Sequence, residues 1–105
     1  MIMAIEEFKA LLESKRRILR LTIHAQEQAE KRIIPFQVIE RDLLHEQPVL
    51  VVEQSCETQN ERKFDVYYPQ SGVYFHRFVI VLNSELRVIT VMRTSKDYQK
   101  RLAGE

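Results

Sequence analysis

The chain has 105 residues, of which 45% are hydrophobic and 30% are charged. This length predicts one domain that buries a core without disulfides or a structural metal. Lys and Arg number 16 against 15 Asp and Glu, for a net charge of +1, so no global field draws the protein onto nucleic acid or an anionic membrane. The single cysteine excludes an internal disulfide, and no apolar run is long enough to span a membrane, so we expect a cytoplasmic protein.

The first half of the chain has the pattern of helices. Apolar residues at helical spacing predict an amphipathic helix near residues 3–15. These residues are Ile5, Phe8, Leu11 and Leu12. Residues 18–23 favour a short strand that leads into a second helix. Thr22, near the end of this segment, is a suitable cap for that helix. Pro35 is well placed to open a third helix. The predicted apolar face of that helix holds Phe36, Ile39 and Leu43.

From Pro48 onward the pattern becomes that of strands. Four strands are predicted, at residues 49–53, 63–68, 73–82 and 86–93. Turn residues lie at 70–72 and 83–84. The order helix, strand, helix, helix and then four strands predicts an α+β domain. Its N-terminal helices pack on one face of a mainly antiparallel sheet of four to five strands.

Strand alternation predicts two faces for this sheet, provided that the hairpin loops are even in length. The more apolar face is expected to form the core beneath the helices. It holds Phe64, Val66, Tyr68, Val73, Phe75, Val79, Val81, Leu86, Val88 and Met92. The opposite face is expected to hold a polar group, namely Lys63, Asp65, Tyr67, Tyr74, His76 and Arg93. Its remainder is apolar and holds Phe78, Ile80, Ile89 and Val91. A loop of odd length would exchange the faces of the later strands.

The segment HAQEQAEKRIIP, residues 24–35, precedes a closing strand VITVMR, residues 88–93. Together they resemble the widespread domain of unknown function 4258, whose usual pattern reads HAxxRMxERGI. The matching residues are His24, Ala25, Arg32 and Ile34. The departures are Gln28, Lys31 and Ile33, which replace Arg, Glu and Gly. The resemblance covers residues 18–95 and leaves residues 1–17 as a helical extension of a single domain, residues 1–105.

That family is similar in layout to the RelE and BrnT toxins, small ribonucleases whose open face meets RNA and which an antitoxin protein neutralises. The resemblance therefore implies a toxin domain that binds or cleaves RNA, with RNA and an antitoxin as partners. The three histidines have no metal-ligand spacing, so we expect neither a metal nor a cofactor. Any catalysis would be that of a metal-independent ribonuclease.

Two groups of side chains are candidates for this chemistry. His24, Gln28 and Arg32 follow one another at intervals of four, so they face one ligand or one strand. The predicted catalytic residues are His24, Arg32, His76 and Arg93. The predicted substrate-binding residues are Tyr67, Tyr74 and Lys63. Arginines would bind phosphate, a histidine would move a proton near neutral pH, and tyrosines would stack on bases.

Structural and interaction roles compete with this interpretation. His24 is equally suited to fixing its helix to the sheet, and Arg32 to pairing with Glu27 or Glu40. The alternative function is a non-catalytic interaction module that joins two copies as a homodimer or binds a partner protein. Its predicted surface holds Tyr74, Phe78, Ile80 and Ile89.

Overall fold

A computed structural model describes residues 1–14, 18–56 and 60–95 of the chain. These residues form three helices, α1 (Ile5–Glu13), α2 (Ile23–Lys31) and α3 (Phe36–His45). They also form five strands, β1 (Ile18–Leu21), β2 (Leu50–Gln54), β3 (Arg62–Pro69), β4 (Tyr74–Leu82) and β5 (Glu85–Ser95). The predicted α+β class and the predicted element order are confirmed.

All five strands belong to one sheet with the order β1-β5-β4-β3-β2. Strands β2 to β5 pair antiparallel, and β1 pairs parallel with β5. The N-terminal residues lie along the outer edge of β2, where Ile2 bridges Val52 and the Met3 N–H donates to the Val51 carbonyl at 2.8 Å. This pairing occupies backbone groups that an edge strand otherwise presents to other chains.

The helix boundaries follow from local chemistry. The Thr22 hydroxyl accepts the Ala25 N–H at 3.1 Å, so Thr22 caps α2 as predicted. Pro35 precedes α3 as its cap residue, one position earlier than the first helical residue, and its carbonyl accepts the N–H groups of Val38 and Ile39 at 3.0 and 3.3 Å. No described helix is long and apolar enough to cross a bilayer.

The helices cover one face of the sheet and bury the main core against it. Phe8 of α1 is fully buried and meets the Phe64 ring edge-on, with ring centroids 5.3 Å apart. The predicted N-terminal extension therefore contributes to the core. The end of that extension, residues 15–17, lies outside the described residues.

Strand β4 is turned over relative to the prediction. Pro69 pairs with Phe75. The residues between this pair, 70–74, are five in number, so the connection counted between paired residues is odd in length. An odd loop reverses which β4 residues share a face with the apolar side of β3. The β4 residues against the helices are Phe78, Ile80 and Leu82. The residues predicted there were Phe75, Val79 and Val81, which lie on the opposite face.

Strand β5 changes face partway along its length. Val79 pairs with Thr90, and the next residue, Ile80, pairs with Val88. Ile89 lies between these two partners and is the extra residue of a bulge. Leu82 pairs with Leu86, so the three residues between them, 83–85, make a second odd loop. This second reversal returns Leu86 and Val88 to the helix side, as predicted. Beyond the bulge Val91 is the buried residue, and Met92, predicted for the core, faces the other way.

The opposite face carries a second, smaller cluster formed by Leu50, Tyr67 and Phe75. An ion pair lies beside it. The Arg77 guanidinium donates from Nε and Nη2 to the two Asp65 oxygens, each at 2.7 Å, and Asp65 is only 4% exposed. Two parallel hydrogen bonds compensate the cost of burying this carboxylate.

A second ion pair joins β2 to β3 nearer the surface and makes stability depend on pH. Arg62 donates from Nε and Nη2 to the Glu53 carboxylate, each at 2.9 Å. The hydrogen bond from Arg62 lowers the pKa of Glu53 from its ordinary 4.5 and outweighs the opposing effect of burial. A carboxyl group with a lowered folded pKa stabilises the fold above its ordinary pKa, and this contribution is lost as the pH falls through the folded value.

We therefore expect Arg62→Gln to lower the free energy of unfolding by less than about 1 kcal/mol at neutral pH, because the pair is partly exposed. This loss of stability should shrink as the pH falls from 4.5 through the lowered pKa of folded Glu53, because Glu53 of the wild type then becomes protonated. Urea unfolding of both proteins across this range measures the difference. An equal loss at every pH would contradict the proposed origin of the effect.

Candidate functional site

A groove of about 350 Å³ lies where the turn between α2 and α3 meets the β3–β4 hairpin. We call it the histidine groove. Its polar lining consists of Arg41, Gln70, Ser71, Tyr74, His76 and Arg93. Its apolar lining consists of Ile33, Ile34, Pro35 and Val38. A concave site with a few converging polar groups on an apolar wall is typical of ligand binding.

A buried histidine in the lining of this groove is paired with a buried carboxylate. His76 of β4 is 5% exposed, and its Nδ1 lies 3.3 Å from Oδ2 of Asp42, which is 1% exposed on α3. An ionised carboxylate only accepts hydrogen bonds, so the arrangement favours the hydrogen on Nδ1. Nε2 then carries the free electron pair, which is the form that a general base needs.

Two further side chains hold the carboxylate. The Gln70 amide donates to both oxygens of Asp42, at 3.3 and 3.1 Å. Arg41 donates to Oδ1 of Asp42 at 3.3 Å and to Oε1 of Gln70 at 3.2 Å. Networks of this kind restrict the geometry of a buried polar group. The hairpin loop, the start of β4 and α3 are thereby tied together around His76.

Arg93 faces His76 directly across the β4–β5 ladder. Its guanidinium donates to the Arg32 carbonyl at 3.1 Å, at the C-terminal end of α2, where the helix dipole favours a cation. This is the one hydrogen bond that Arg93 makes with the described residues, although a guanidinium has five N–H donors. Arg93 and Arg41 therefore place two phosphate-binding groups in the groove with His76.

Tyr68 lies across the β3–β4 ladder from His76 and is fully buried behind it. Burial, followed by the nearby charge of Asp42, raises the pKa of its hydroxyl far above the usual range. The phenol is therefore neutral at physiological pH. It packs against Phe78 with ring centroids 5.8 Å apart and belongs to the core.

The structure brings together only part of the predicted sheet site. His76, Tyr74 and Arg93 line the histidine groove, as a shared site requires. Tyr67 does not join them, because it pairs across from Arg77 on the opposite face and is fully buried. Lys63 shares that opposite face. The prediction of one common face was wrong because the β3–β4 loop is odd in length.

The three predicted residues of α2 also separate. His24 is exposed in the first turn and does not line the histidine groove. The Gln28 side-chain oxygen accepts the Val91 N–H at 2.8 Å and so joins α2 to β5 just beyond the bulge. Arg32 contributes its backbone carbonyl to Arg93. Catalytic roles for His24 and Arg32 stay predictions.

The surface predicted for an interaction module is not available. Phe78 and Ile80 are fully buried in the main core, while Tyr74 is 49% exposed. The same reversal of β4 explains this difference, because it turns the apolar residues of that strand towards the helices. A homodimer through this face would require the core to open.

Sequence reasoning missed Asp42, Arg41 and Gln70. A signal for Asp42 was present, because it lies beside Leu43 and three residues after Ile39, both of which are buried. A charged residue on the buried side of an amphipathic helix requires a buried partner. Phe36, predicted on that same side, is 43% exposed.

Ile33, at the rim of the histidine groove, has an unusual backbone conformation. Its φ is +53°, the left-handed region in which branched residues are rare. The turn has the hydrogen bonds of a Schellman motif, from the Ile33 N–H to Glu30 and from the Ile34 N–H to Ala29, at 3.1 and 2.9 Å. Ile34 is buried, but the Ile33 side chain is 84% exposed.

We expect Ile33→Gly to raise the free energy of unfolding by about 1 kcal/mol, because glycine adopts this conformation without steric strain. The melting temperature should rise by roughly 4 °C. The matched control is Ile23→Gly, which removes another exposed isoleucine from a helical position and should destabilise by about 0.5 kcal/mol. Thermal and urea unfolding measure both changes. Equal destabilisation by the two substitutions would contradict strain at Ile33.

Among the described residues, no group of His, Cys, Asp and Glu side chains has the arrangement of a metal site. Comparison with known proteins found no matching family model, no matching curated protein and no matching solved structure. The resemblance to the domain of unknown function and to the RelE and BrnT layout therefore stays a prediction.

Proposed function

We propose that the histidine groove binds single-stranded RNA and cleaves it without a metal, as a RelE/BrnT-like toxin domain does. One observation carries the proposal, namely that His76, held by Asp42, lines one groove together with two arginines, Arg41 and Arg93. A proton acceptor next to fixed cations is the minimum equipment for phosphodiester cleavage by RNA's own hydroxyl.

The lining of the groove suits a nucleotide. Arg41 and Arg93 supply the charge-assisted hydrogen bonds that a phosphate accepts, and Arg93 lies directly opposite the histidine. Tyr74 is half-exposed at the mouth and offers an aromatic face for a base. Single-stranded RNA fits this arrangement better than a duplex, whose bases are already stacked.

The chemical step follows from the orientation of His76. The ribose hydroxyl next to the bound phosphate gives its proton to Nε2 and attacks the phosphorus. The bond from phosphorus to the oxygen of the next nucleotide breaks, and that oxygen takes a proton from water. The products are a cyclic phosphate and a free hydroxyl group. Asp42 stabilises the imidazolium that forms, and the arginines stabilise the charge on the phosphoryl oxygens.

Because the net charge is only +1, we expect RNA affinity to depend mainly on these two arginines. Two phosphate contacts on a single strand predict a slope of about −1.4 for the logarithm of affinity against the logarithm of salt concentration. Arg93→Gln should halve that slope. Arg20→Gln is the matched control, since Arg20 is exposed on β1 and pairs with Glu85 outside the groove.

The test is cleavage of a labelled oligoribonucleotide in the presence of a chelator, with the products identified by mass. The wild type is expected to yield cyclic phosphate ends. His76→Gln should lose cleavage, and His45→Gln, which changes an exposed histidine of α3, should retain it. Arg93→Gln is a second variant with an exposed side chain, so its loss of activity does not depend on the buried network. His24→Gln tests the remaining sequence prediction.

Absence of cleavage by folded wild type would overturn the catalytic proposal. Binding of RNA that depends on Arg41 and Arg93 without cleavage would leave an RNA-binding domain. In the toxin interpretation, a partner protein that covers the histidine groove acts as the antitoxin. Its addition is then expected to block RNA binding in competition with the oligoribonucleotide.

A further inference from the structure

A second groove continues from the histidine groove and shares its apolar wall. It has a volume of about 380 Å³ and lies between the end of β1, the outer side of α2 and the start of α3. Ile33, Ile34 and Pro35 line both grooves. We call the second one the apolar groove. Its own lining consists of Leu21, Gln26, Ala29, Glu30 and Phe36.

We infer that the apolar groove is a second subsite, which binds the base of the nucleotide adjoining the phosphate held in the histidine groove. The inference rests on the proposed RNA-binding function. It implies that the smallest well-bound substrate is a dinucleotide, with its phosphate at Arg93 and its two bases on either side of Ile33.

Charge and surface chemistry select a base as the occupant. Glu30 is the charged residue of this lining, and a carboxylate repels phosphate. Phe36 is 43% exposed and presents an aromatic ring, on which a base stacks whatever its sequence. Glu30 accepts hydrogen bonds only, so it favours a base with an amino group, such as adenine or cytosine, over uracil or thymine.

The conformation of Ile33 is an independent reason to place a ligand here. A glycine would relieve the backbone strain at φ +53°, and the isoleucine side chain is 84% exposed, so its burial does not compensate the strain. Strained residues of this kind are concentrated at ligand-binding positions. Ile33 projects at the boundary of the two grooves, where a bound dinucleotide would cover it.

The experiment compares uncleavable deoxynucleotide probes by calorimetry. The dinucleotide d(ApA) carries one phosphodiester and two bases, and the methyl phosphodiester of deoxyadenosine monophosphate carries the same charge with one base. We expect d(ApA) to bind wild type roughly 10-fold more tightly, in line with the stacking of one additional base. The probe d(TpT), which lacks amino groups, should bind less tightly than d(ApA), and Glu30→Gln should narrow that difference.

Phe36→Ala is expected to remove most of the 10-fold advantage of d(ApA) and to leave the affinity for the one-base probe unchanged, because Phe36 lines only the apolar groove. Ile33→Gly is expected to reduce the same advantage, measured as the ratio of the two affinities. Ile23→Ala, which shortens an exposed isoleucine outside both grooves, should change neither affinity. Ile33→Gly is informative because the substitution is expected to stabilise the fold, so weaker binding is not explained by unfolding.

Equal affinity for d(ApA) and the one-base probe would overturn the second subsite and leave the proposed RNA function standing. Loss of both affinities in Phe36→Ala would also overturn it, since the grooves would then not act separately. If neither probe nor any RNA bound the wild type, both proposals would fall. Binding of a protein partner at Ile33 and Phe36, with no effect of these residues on nucleotides, would assign the apolar groove to that partner.

Discussion

Asp42→Asn is expected to slow RNA cleavage by about 10³-fold and to change RNA affinity little. An asparagine presents an N–H group where the carboxylate presented an oxygen, so His76 loses the acceptor that fixes its hydrogen on Nδ1. Loss of this orientation, together with loss of the charge that stabilises the imidazolium, costs several orders of magnitude in enzymes with a histidine–aspartate pair. The phosphate contacts of Arg93 do not involve Asp42.

The same substitution should lower the free energy of unfolding by about 2 kcal/mol, because the Gln70 amide and His76, which both contact Oδ2 of Asp42, then face another donor in a buried position. Single-turnover cleavage, RNA binding and urea unfolding separate these effects. The control is Glu40→Gln, which neutralises an exposed acid of the same helix. It should leave the cleavage rate, the RNA affinity and the free energy of unfolding unchanged. A cleavage rate in Asp42→Asn within a few-fold of wild type would mean that the pair serves folding alone.

Arg77→Met is expected to produce the largest loss of stability, about 3–5 kcal/mol. The substitution keeps much of the side-chain volume but removes both 2.7 Å hydrogen bonds from Asp65, which is 4% exposed. The other donor to Asp65 is the Gln54 amide, at 3.5 Å, and one long hydrogen bond does not compensate a buried charge. Urea unfolding at neutral pH measures the loss.

The double variant Asp65→Leu, Arg77→Met separates charge from packing. If the unpaired carboxylate causes the instability, replacing it with an apolar residue should recover most of the loss. Arg20→Met removes a partner from an exposed pair and should cost less than about 1 kcal/mol. A double variant as unstable as Arg77→Met would show that the guanidinium contributes mainly through its packing.

Much of the fold was predictable because its signals are local. Thr22 precedes a helical pattern, Pro35 favours a helix start, and alternating residues indicate strands in the second half of the chain. The relation between strands is a different matter. It depends on the odd lengths of the 70–74 and 83–85 loops and on the bulge at Ile89, and no residue in the sequence specifies these three features.

The same features of the sheet rearranged the predicted group of side chains. His76, Tyr74 and Arg93 were predicted together and do line one groove, but on the helix side of the sheet. Tyr67 was separated from them by the reversal of β4. Asp42 is far from His76 in sequence, and only the packing of α3 onto the hairpin brings the two together. Long-range pairs of this kind leave no periodic signal in a single chain.

The most direct test of RNA binding in the histidine groove is amide chemical-shift mapping by NMR, during titration with an uncleavable oligodeoxynucleotide. Binding in the histidine groove predicts the largest shifts at residues 70–76, at Arg41 and at Arg93, and it predicts that Arg93→Gln requires a higher probe concentration to produce them. Shifts confined to the opposite face, around Lys63 and Tyr67, or no shifts at any concentration, would contradict the assignment of RNA to the groove that His76 lines.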